Sequence, residues 1–98
     1  MKITKNVNGN IATIALEGRL DTTTAPELEK ELKAVIESAD ALTLDFGSLD
    51  YISSAGLRVL LSAHKAMSKK GGMKVVNVNE LVREVFDVTG FSDILTIE

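Results

Sequence analysis

Cysteine and tryptophan are both absent from this chain of 98 residues. Without thiols, the chain cannot form disulfides, use thiolate chemistry or build a cysteine-based zinc or iron–sulfur site. Its one histidine, His64, cannot form a cluster of imidazole ligands within a single chain. Four aromatic residues, three Phe and one Tyr, are also too few for a platform that stacks nucleic-acid bases.

The chain also lacks an excess of basic residues and any long apolar run. Fourteen acidic and eleven basic side chains give a net charge of −3, whereas nucleic-acid binders carry positive charge to neutralise phosphates. No stretch of about 18 apolar residues is present, and no apolar signal segment follows Lys2. We therefore expect no nucleic-acid partner, no membrane insertion and a cytoplasmic location.

Proline occurs once, at Pro26, and no stretch rich in glycine and serine interrupts the chain. The hydrophobic fraction is 45% and the charged fraction is 26%, which is ordinary for a folded globular domain. A length near 100 residues suits a single core. We expect residues 1–98 to form a single domain.

The first half of the chain predicts two strands and a helix. Residues 1–18 contain two strands joined by a turn at Asn8-Gly9, because Asn-Gly suits the tight turn of a hairpin, and Gly18 closes the second strand. A polar run after Gly18 offers several helix caps, and Pro26 fits a first helical turn. An apolar stripe at helical spacing then predicts a helix over about residues 25–38.

The second half alternates strands with helices. The predicted elements are a strand at 42–46, a loop at 47–52, a helix opened by Ser53–Gly56 and stopped by Gly71-Gly72, a strand at 73–78, a helix capped by Asn79 and ended by Gly90, and a closing strand at 94–97. The order β-β-α-β-α-β-α-β predicts an α/β sandwich, in which helices pack on a mixed sheet. Right-handed crossovers place the loop after residue 46 beside the turn at Asp21.

The strongest local feature is the run Ser53-Ser54-Ala55-Gly56-Leu57, between a strand and a helix. The start of a helix exposes backbone N–H groups and a partial positive charge. A serine at this position either caps the helix through its hydroxyl or receives a phosphate, which the N–H groups favour. The residues alone leave both roles open.

A serine hydrolase is excluded by the position of His64. In a helix, His64 lies about 15 Å along the axis from Ser54, at about 1.5 Å per residue, so it cannot act as the base. The nucleophile-elbow pattern is missing too, because Ile52 stands two residues before Ser54. We expect His64 to be a packing residue at an interface.

Three carboxylates, Asp21, Asp45 and Asp50, stand near Ser54 in the predicted topology. Converging carboxylates of this kind could hold Mg²⁺, but helix capping and turn formation explain each of the three separately. We therefore predict neither a metal site nor a cofactor.

Four segments carry a resemblance to a known family: GRLD at 18–21, LDFGSLDYI at 44–52, SSAGL at 53–57 and LVREVFDVTGF at 81–91. Together they resemble the STAS-domain family of anti-sigma factor antagonists, over essentially the whole chain. The resemblance implies a STAS-type fold and the binding of an anti-sigma factor that is also a serine kinase of the GHKL type. In that family, phosphorylation of one serine abolishes this binding, and a PP2C-type phosphatase restores it.

The resemblance also assigns residues. Aligned on Gly56-Leu57, the phosphate acceptor is Ser54, and Ser53 stands where the family has aspartate, which makes it a rival acceptor. Arg58 stands where the family often has glycine; three roles stay open for it, namely contact with the partner, pairing with the phosphate, or simple exposure to solvent. The expected partner-binding residues are Asp21, Thr22, Ser53, Ser54, Gly56, Leu57 and Arg58. Asp45 is expected to shape a loop.

Two other functions remain as alternatives. One is a STAS interaction module in a signalling scaffold or a lipid-transport complex, with Ser54 acting only as a helix cap. The other is a small enzyme or a nucleotide-binding protein, which ranks last because the required residues are missing. The expected function is therefore not enzymatic.

Overall fold

A five-stranded sheet runs through the protein, and three helices cover one of its faces. The computed structural model describes residues 1–98. In chain order the elements are β1 (Lys2–Asn8), β2 (Ile11–Leu20), α1 (Ala25–Ser38), β3 (Ala41–Ile52), α2 (Ser54–Met67), β4 (Met73–Val76), α3 (Glu80–Thr89), a 3₁₀ turn (Phe91–Asp93) and β5 (Thr96–Ile97).

The strands lie in the order β1-β2-β3-β4-β5. β1 pairs antiparallel with β2, and every other pair is parallel. Each of the three β-α-β connections leads to the neighbouring strand in the same direction across the sheet. Because such connections are right-handed, all three helices lie on one face. The predicted fold class, an α/β mixed sheet carrying helices, is confirmed, as is the predicted extent of α1.

Contacts from α1 and α3 identify the covered face. Lys5, which lies opposite Ile14 in the β1–β2 register, makes an ion pair with Glu31 of α1 at 2.6 Å. Phe86 of α3 packs on Phe46 of β3, with ring centroids 6.4 Å apart. Side chains on this face of β2 and β3 are buried, whereas those on the opposite face are partly or fully exposed. The buried set in these two strands is Ala12, Ile14, Leu16, Leu20, Leu42, Leu44, Phe46, Leu49 and Ile52.

The predicted loop at 47–52 is wrong, because β3 continues through it to Ile52. Two irregularities in the pairing with β2 explain the error. Ala15 pairs with Asp45 but Glu17 with Ser48, and a second shift follows Gly18. Each shift inserts an extra residue into β3 and interrupts the alternation of period two from which a strand is recognised.

Gly18 does not close β2, since the strand continues to Leu20. Gly18 has a φ of +106°, a conformation that glycine adopts without the strain of a side chain. The residue therefore lies at an irregularity inside the strand, where the register changes. A glycine in a strand marks either an end or such a bulge, and here it marks the bulge.

The later elements are shorter than predicted at their ends. β4 stops at Val76 because Asn77 adopts a φ of +60°, and β5 is reduced to Thr96–Ile97 by the preceding 3₁₀ turn. The cap of α3 is confirmed: the Asn79 side chain accepts a hydrogen bond from the Val82 N–H at 2.8 Å. Its end is confirmed as well, at Gly90 with a φ of +83°. None of the helices is long and apolar enough to span a membrane.

Gly56 marks the closest approach between α2 and the sheet. A Cβ atom placed on it would lie 2.6 Å from Leu20 Cγ and 3.0 Å from Ile52 Cγ1. Both neighbours are core residues, with 0% and 2% of their surface exposed, so they have little room to move. The absence of a side chain at Gly56 lets α2 dock where β2 and β3 end.

We predict that Gly56→Ala destabilises the protein by about 1 to 3 kcal/mol through overpacking. In an unobstructed helix the same substitution stabilises by about 1 kcal/mol, so the sign of the change reports the contact. Urea unfolding monitored by circular dichroism measures it. Ser54→Ala, an exposed position in the same turn, is the control. A midpoint for Gly56→Ala equal to or above that of the unsubstituted protein would show that the contact imposes no strain.

Candidate functional site

The candidate site lies where β2 and β3 end side by side. Leu20 pairs with Ile52, and the Ser53 N–H donates to the Leu20 carbonyl oxygen at 2.9 Å. The chain leaves β2 into the turn at Asp21 and leaves β3 into α2. The predicted proximity of the Asp21 turn and the Ser53-Ser54 segment is thereby confirmed.

Ser54 is the first residue of α2, and its side chain is exposed. The N-cap is Ser53, whose extended backbone is followed by a helical hydrogen bond from the Leu57 N–H to the Ser53 carbonyl oxygen at 3.0 Å. No side chain caps α2. The interpretation of Ser54 as a helix cap is therefore wrong, because the cap position falls one residue earlier and is not used by a hydroxyl.

Ser53 differs from Ser54 in the accessibility of its hydroxyl. The Ser53 Oγ atom is buried and has no hydrogen-bond partner in the chain. A kinase transfers phosphate only to an oxygen that it reaches, so Ser53 would have to leave this position before modification. The geometry favours Ser54 over its rival Ser53 as a phosphate acceptor.

Asp21 organises the turn between β2 and α1. Its Oδ1 atom accepts hydrogen bonds from the Thr23 hydroxyl at 2.7 Å, the Thr23 N–H at 3.0 Å and the Thr24 N–H at 3.2 Å. The pKa of Asp21 is lowered, and the hydrogen bond from the Thr23 hydroxyl is the largest cause. Partial desolvation acts in the opposite direction. The remaining hydrogen bonds from Thr23 and Thr24 lower the pKa further. The turn therefore presents a fixed carboxylate beside Ser54.

A groove of about 410 Å³ separates the first turns of α1 and α2 next to Ser54. It is lined by Ala25, Pro26, Ala55 and Val59, and by three polar residues, Thr22, Glu29 and Arg58. Arg58 is exposed and takes part in no ion pair, whereas Glu29 pairs with Lys33 at 3.4 Å. Thr22 and Arg58, both predicted to bind a partner, therefore line one concave surface.

Two residues predicted to contact a partner do not lie on that surface. Gly56 is buried against Leu20, and only 6% of Leu57 is exposed. Both are occupied by packing between α2 and the sheet, so we remove Gly56 and Leu57 from the contact set. Their role is to hold Ser54 and Arg58 in place.

The other carboxylates do not converge on Ser54. Asp45 Oδ1 accepts hydrogen bonds from the Gly47 N–H at 2.9 Å and from Asn77 Nδ2 at 3.0 Å, which confirms that Asp45 shapes the local backbone. Asp50 is exposed on β3. No group of three or more His, Cys, Asp or Glu residues is placed to hold a metal ion.

His64 is half-buried on α2 and lines a second groove, with residues from the beginnings of β3 and β4. That end of the sheet is opposite to the one where Ser54 lies, so the two side chains do not meet, as the spacing in the helix predicts.

Arg19 and Tyr51 form a contact that the sequence pattern did not indicate. The Arg19 guanidinium lies 4.3 Å from the centroid of the Tyr51 ring, and Arg19 Nε is 3.9 Å from Asp21 Oδ2. The two residues pair across β2 and β3 after the second register shift, so only knowledge of that shift would have brought them together. This cation–π contact forms one border of the Asp21 turn.

We predict that Thr23→Val raises the pKa of Asp21 toward its ordinary value of 3.8, because the strongest hydrogen bond to the carboxylate is lost. Carboxyl-carbon NMR titration measures the pKa directly. Because the folded pKa lies below the unfolded one, ionised Asp21 stabilises the fold above the unfolded pKa, and this stabilisation is lost as the pH falls through the folded pKa. The difference in the free energy of unfolding between the unsubstituted protein and Thr23→Val should therefore be largest near neutral pH and should decrease in acid. Thr22→Val is the control, and an unchanged Asp21 titration in Thr23→Val would contradict the assignment.

Comparison with known proteins places this geometry in a family. The profile of the STAS domain matches residues 2–98. "Putative anti-sigma factor antagonist BtrV" of Bordetella bronchiseptica is 36% identical over 99 aligned residues, which cover 99% of this chain and 85% of that protein. The anti-sigma-B factor antagonist of Bacillus subtilis is 32% identical over 91 residues, covering 92% of this chain and 84% of that protein.

A solved structure of an anti-sigma factor antagonist has the same fold. The crystal structure of an anti-sigma factor antagonist from Mycobacterium paratuberculosis superposes with a TM-score of 0.89 at 25% identity, covering 98% of this chain and 83% of that one. The predicted resemblance is confirmed over the full length of the sheet and helices. The chain belongs to the STAS domain family, and the relatives it matches bear the name of anti-sigma factor antagonists.

Proposed function

We propose that the protein is an anti-sigma factor antagonist that is switched at Ser54. In the unphosphorylated form it binds an anti-sigma factor, a serine kinase of the GHKL type, and so releases the sigma factor. Phosphorylation of Ser54 by that kinase ends the binding, and a PP2C-type phosphatase restores it. The role is one of binding and not of catalysis, and it is exercised in the cytoplasm, where sigma factors act.

The exposed hydroxyl of Ser54 at the start of α2 is the observation that carries this proposal. The names of the relatives supply the kind of partner. The start of a helix also accommodates a phosphate well, since its N–H groups and dipole favour negative charge. Ser53, whose Oγ is buried, fits the role of acceptor less well.

The surface proposed to bind the partner consists of Thr22 and Arg58, which line the groove between α1 and α2, together with their chain neighbour Asp21 and with Ser54 at the start of α2. The apolar lining of the groove offers a place for an apolar side chain of the partner, and the charged residues at its border provide specificity. Ser53 contributes through its backbone alone, because its hydroxyl is turned inward.

A phosphate on Ser54 acts through charge and bulk at this surface. It adds about −1.5 to −2 charges to a chain whose net charge is −3. Asp21, a carboxylate whose pKa is lowered, lies in the adjacent turn and increases the negative potential. Covering this group with a partner would require its desolvation, which costs several kcal/mol, and about 1.4 kcal/mol already corresponds to a tenfold loss of affinity.

We predict that Ser54→Asp weakens binding to the anti-sigma factor kinase of the source organism by at least about tenfold. Ser54→Ala should bind as the unsubstituted protein does and should not be phosphorylated. Isothermal titration calorimetry measures the affinity, and mass spectrometry after incubation with the kinase and ATP locates the phosphate. Ser62→Asp, which places the same charge at an exposed position two turns further along α2, is the matched control.

Three results would count against the proposal. Phosphate found only at residues other than Ser54 would refute the acceptor. Equal affinities of the Ser54→Asp and Ser62→Asp variants would refute the switch. Failure of the unmodified protein to bind the kinase, together with stable association with a scaffold or transporter subunit, would favour the other STAS role.

A further inference from the structure

Arg58 is a cation without an anionic partner, close to Ser54. It projects from α2 at the groove, where its side chain is exposed and makes neither an ion pair nor a hydrogen bond within the chain. The other arginine at this end, Arg19, is engaged by the Tyr51 ring and faces Asp21. The charge of Arg58 is therefore available to another group.

The spacing of Ser54 and Arg58 along α2 suits an ion pair. Residues four apart on a helix have Cβ atoms about 5 to 6 Å apart, and an anion placed N-terminal to a cation is the favourable orientation. Helical side chains also lean toward the N-terminus, so Arg58 leans toward the turn that carries Ser54. A phosphate on Ser54 would lie within reach of the guanidinium, which binds phosphate in bidentate fashion.

The neighbouring carboxylates do not compete strongly for Arg58. Glu29, which also lines the groove, is paired with Lys33 on its own helix. Asp21 receives hydrogen bonds from Thr23 and Thr24 and faces Arg19. Neither carboxylate forms an ion pair with Arg58, so a phosphate on Ser54 would meet a free cation.

The first turn of α2 offers the phosphate additional donors. Ser53 at the N-cap makes no side-chain hydrogen bond to the helix, so it does not satisfy the N–H groups of this turn. A phosphate on the first helical residue lies beside these groups and at the positive end of the helix dipole.

We propose that a phosphate on Ser54 is bound within the same chain by the guanidinium of Arg58. This inference rests on the proposed function, because it takes Ser54 as the acceptor. The bound phosphate would lie at the edge of the groove and would form an ion pair with Arg58, the unpaired cation that lines it. Phosphorylation would then remove a contact from the partner in addition to repelling it.

The test is a phosphorus NMR titration of the full chain with phosphoserine incorporated at position 54 during translation. A nearby cation favours the dianion, so Arg58 should hold the second pKa of the phosphate below its ordinary value of about 6. Arg58→Gln should raise that pKa by about 0.15 to 0.4 units, the size expected for an exposed ion pair of this spacing. Arg58→Lys should retain part of the effect.

Lys69→Gln is the control, because it removes the same charge beyond the other end of α2. It should leave the phosphate titration unchanged. Identical titrations for the unsubstituted protein and Arg58→Gln would overturn the proposal, as would an equal shift in Lys69→Gln, which would indicate a general effect of net charge. Since the phosphoserine is installed without a kinase, these outcomes are independent of whether the protein binds an anti-sigma factor, which the Ser54→Asp affinities decide.

Discussion

The parallel pairing of β2 with β3 up to Leu20 and Ile52 is the constraint on which the candidate site depends. It brings the ends of two strands to one point, and the hydrogen bond from the Ser53 N–H to the Leu20 carbonyl fixes the start of α2 there. Gly56 then lets the helix pack directly on Leu20. The exposure of Ser54, its proximity to Asp21 and the groove beside Arg58 all follow from this junction.

The two irregularities in the β2–β3 register extend this pairing and do not end it. Each inserts an extra residue into β3, which increases the local twist and redirects the following side chains. Asp45 stabilises the first irregularity through the Gly47 N–H and Asn77. Leu49, between the two irregularities, and Ile52, beyond the second, both lie on the buried face, so the core reaches as far as the site.

Elements specified by local signals could be predicted from the sequence, and those specified by a distant strand could not. The extent of α1 follows from Pro26 and an apolar stripe, and the cap of α3 from the single residue Asn79. The continuation of β3 through Gly47 depends on its register with β2, which period-two alternation does not contain. In the same way, Gly18 predicts a strand end, because the sequence does not reveal which irregular conformation a glycine serves.

The candidate site shows the same contrast between features set by the local sequence and features set by the fold. The sequence motif predicts one partner-binding set in this segment, whereas the fold separates its residues by their position around the helix. Gly56 and Leu57 face the sheet, and Ser54 and Arg58 face solvent. A motif contains both residues that pack against the sheet and residues that are exposed to solvent, and only the orientation of the helix distinguishes them.

This arrangement also limits how a modification at Ser54 can act. The first turn of α2 is held by the Ser53 N–H bond to Leu20, by the Leu57 N–H bond to Ser53 and by Gly56 against the core. Because these contacts face inward, a group added to the outward hydroxyl of Ser54 does not enter them. A well-packed junction of this kind resists deformation, so the phosphate changes the charge and shape of the surface without a refolding step. Such a change in charge acts mainly on groups within about 10 Å, because surface charges further apart are screened at ordinary ionic strength. Within the chain, the cation placed to respond is Arg58, which lies one helical turn from Ser54.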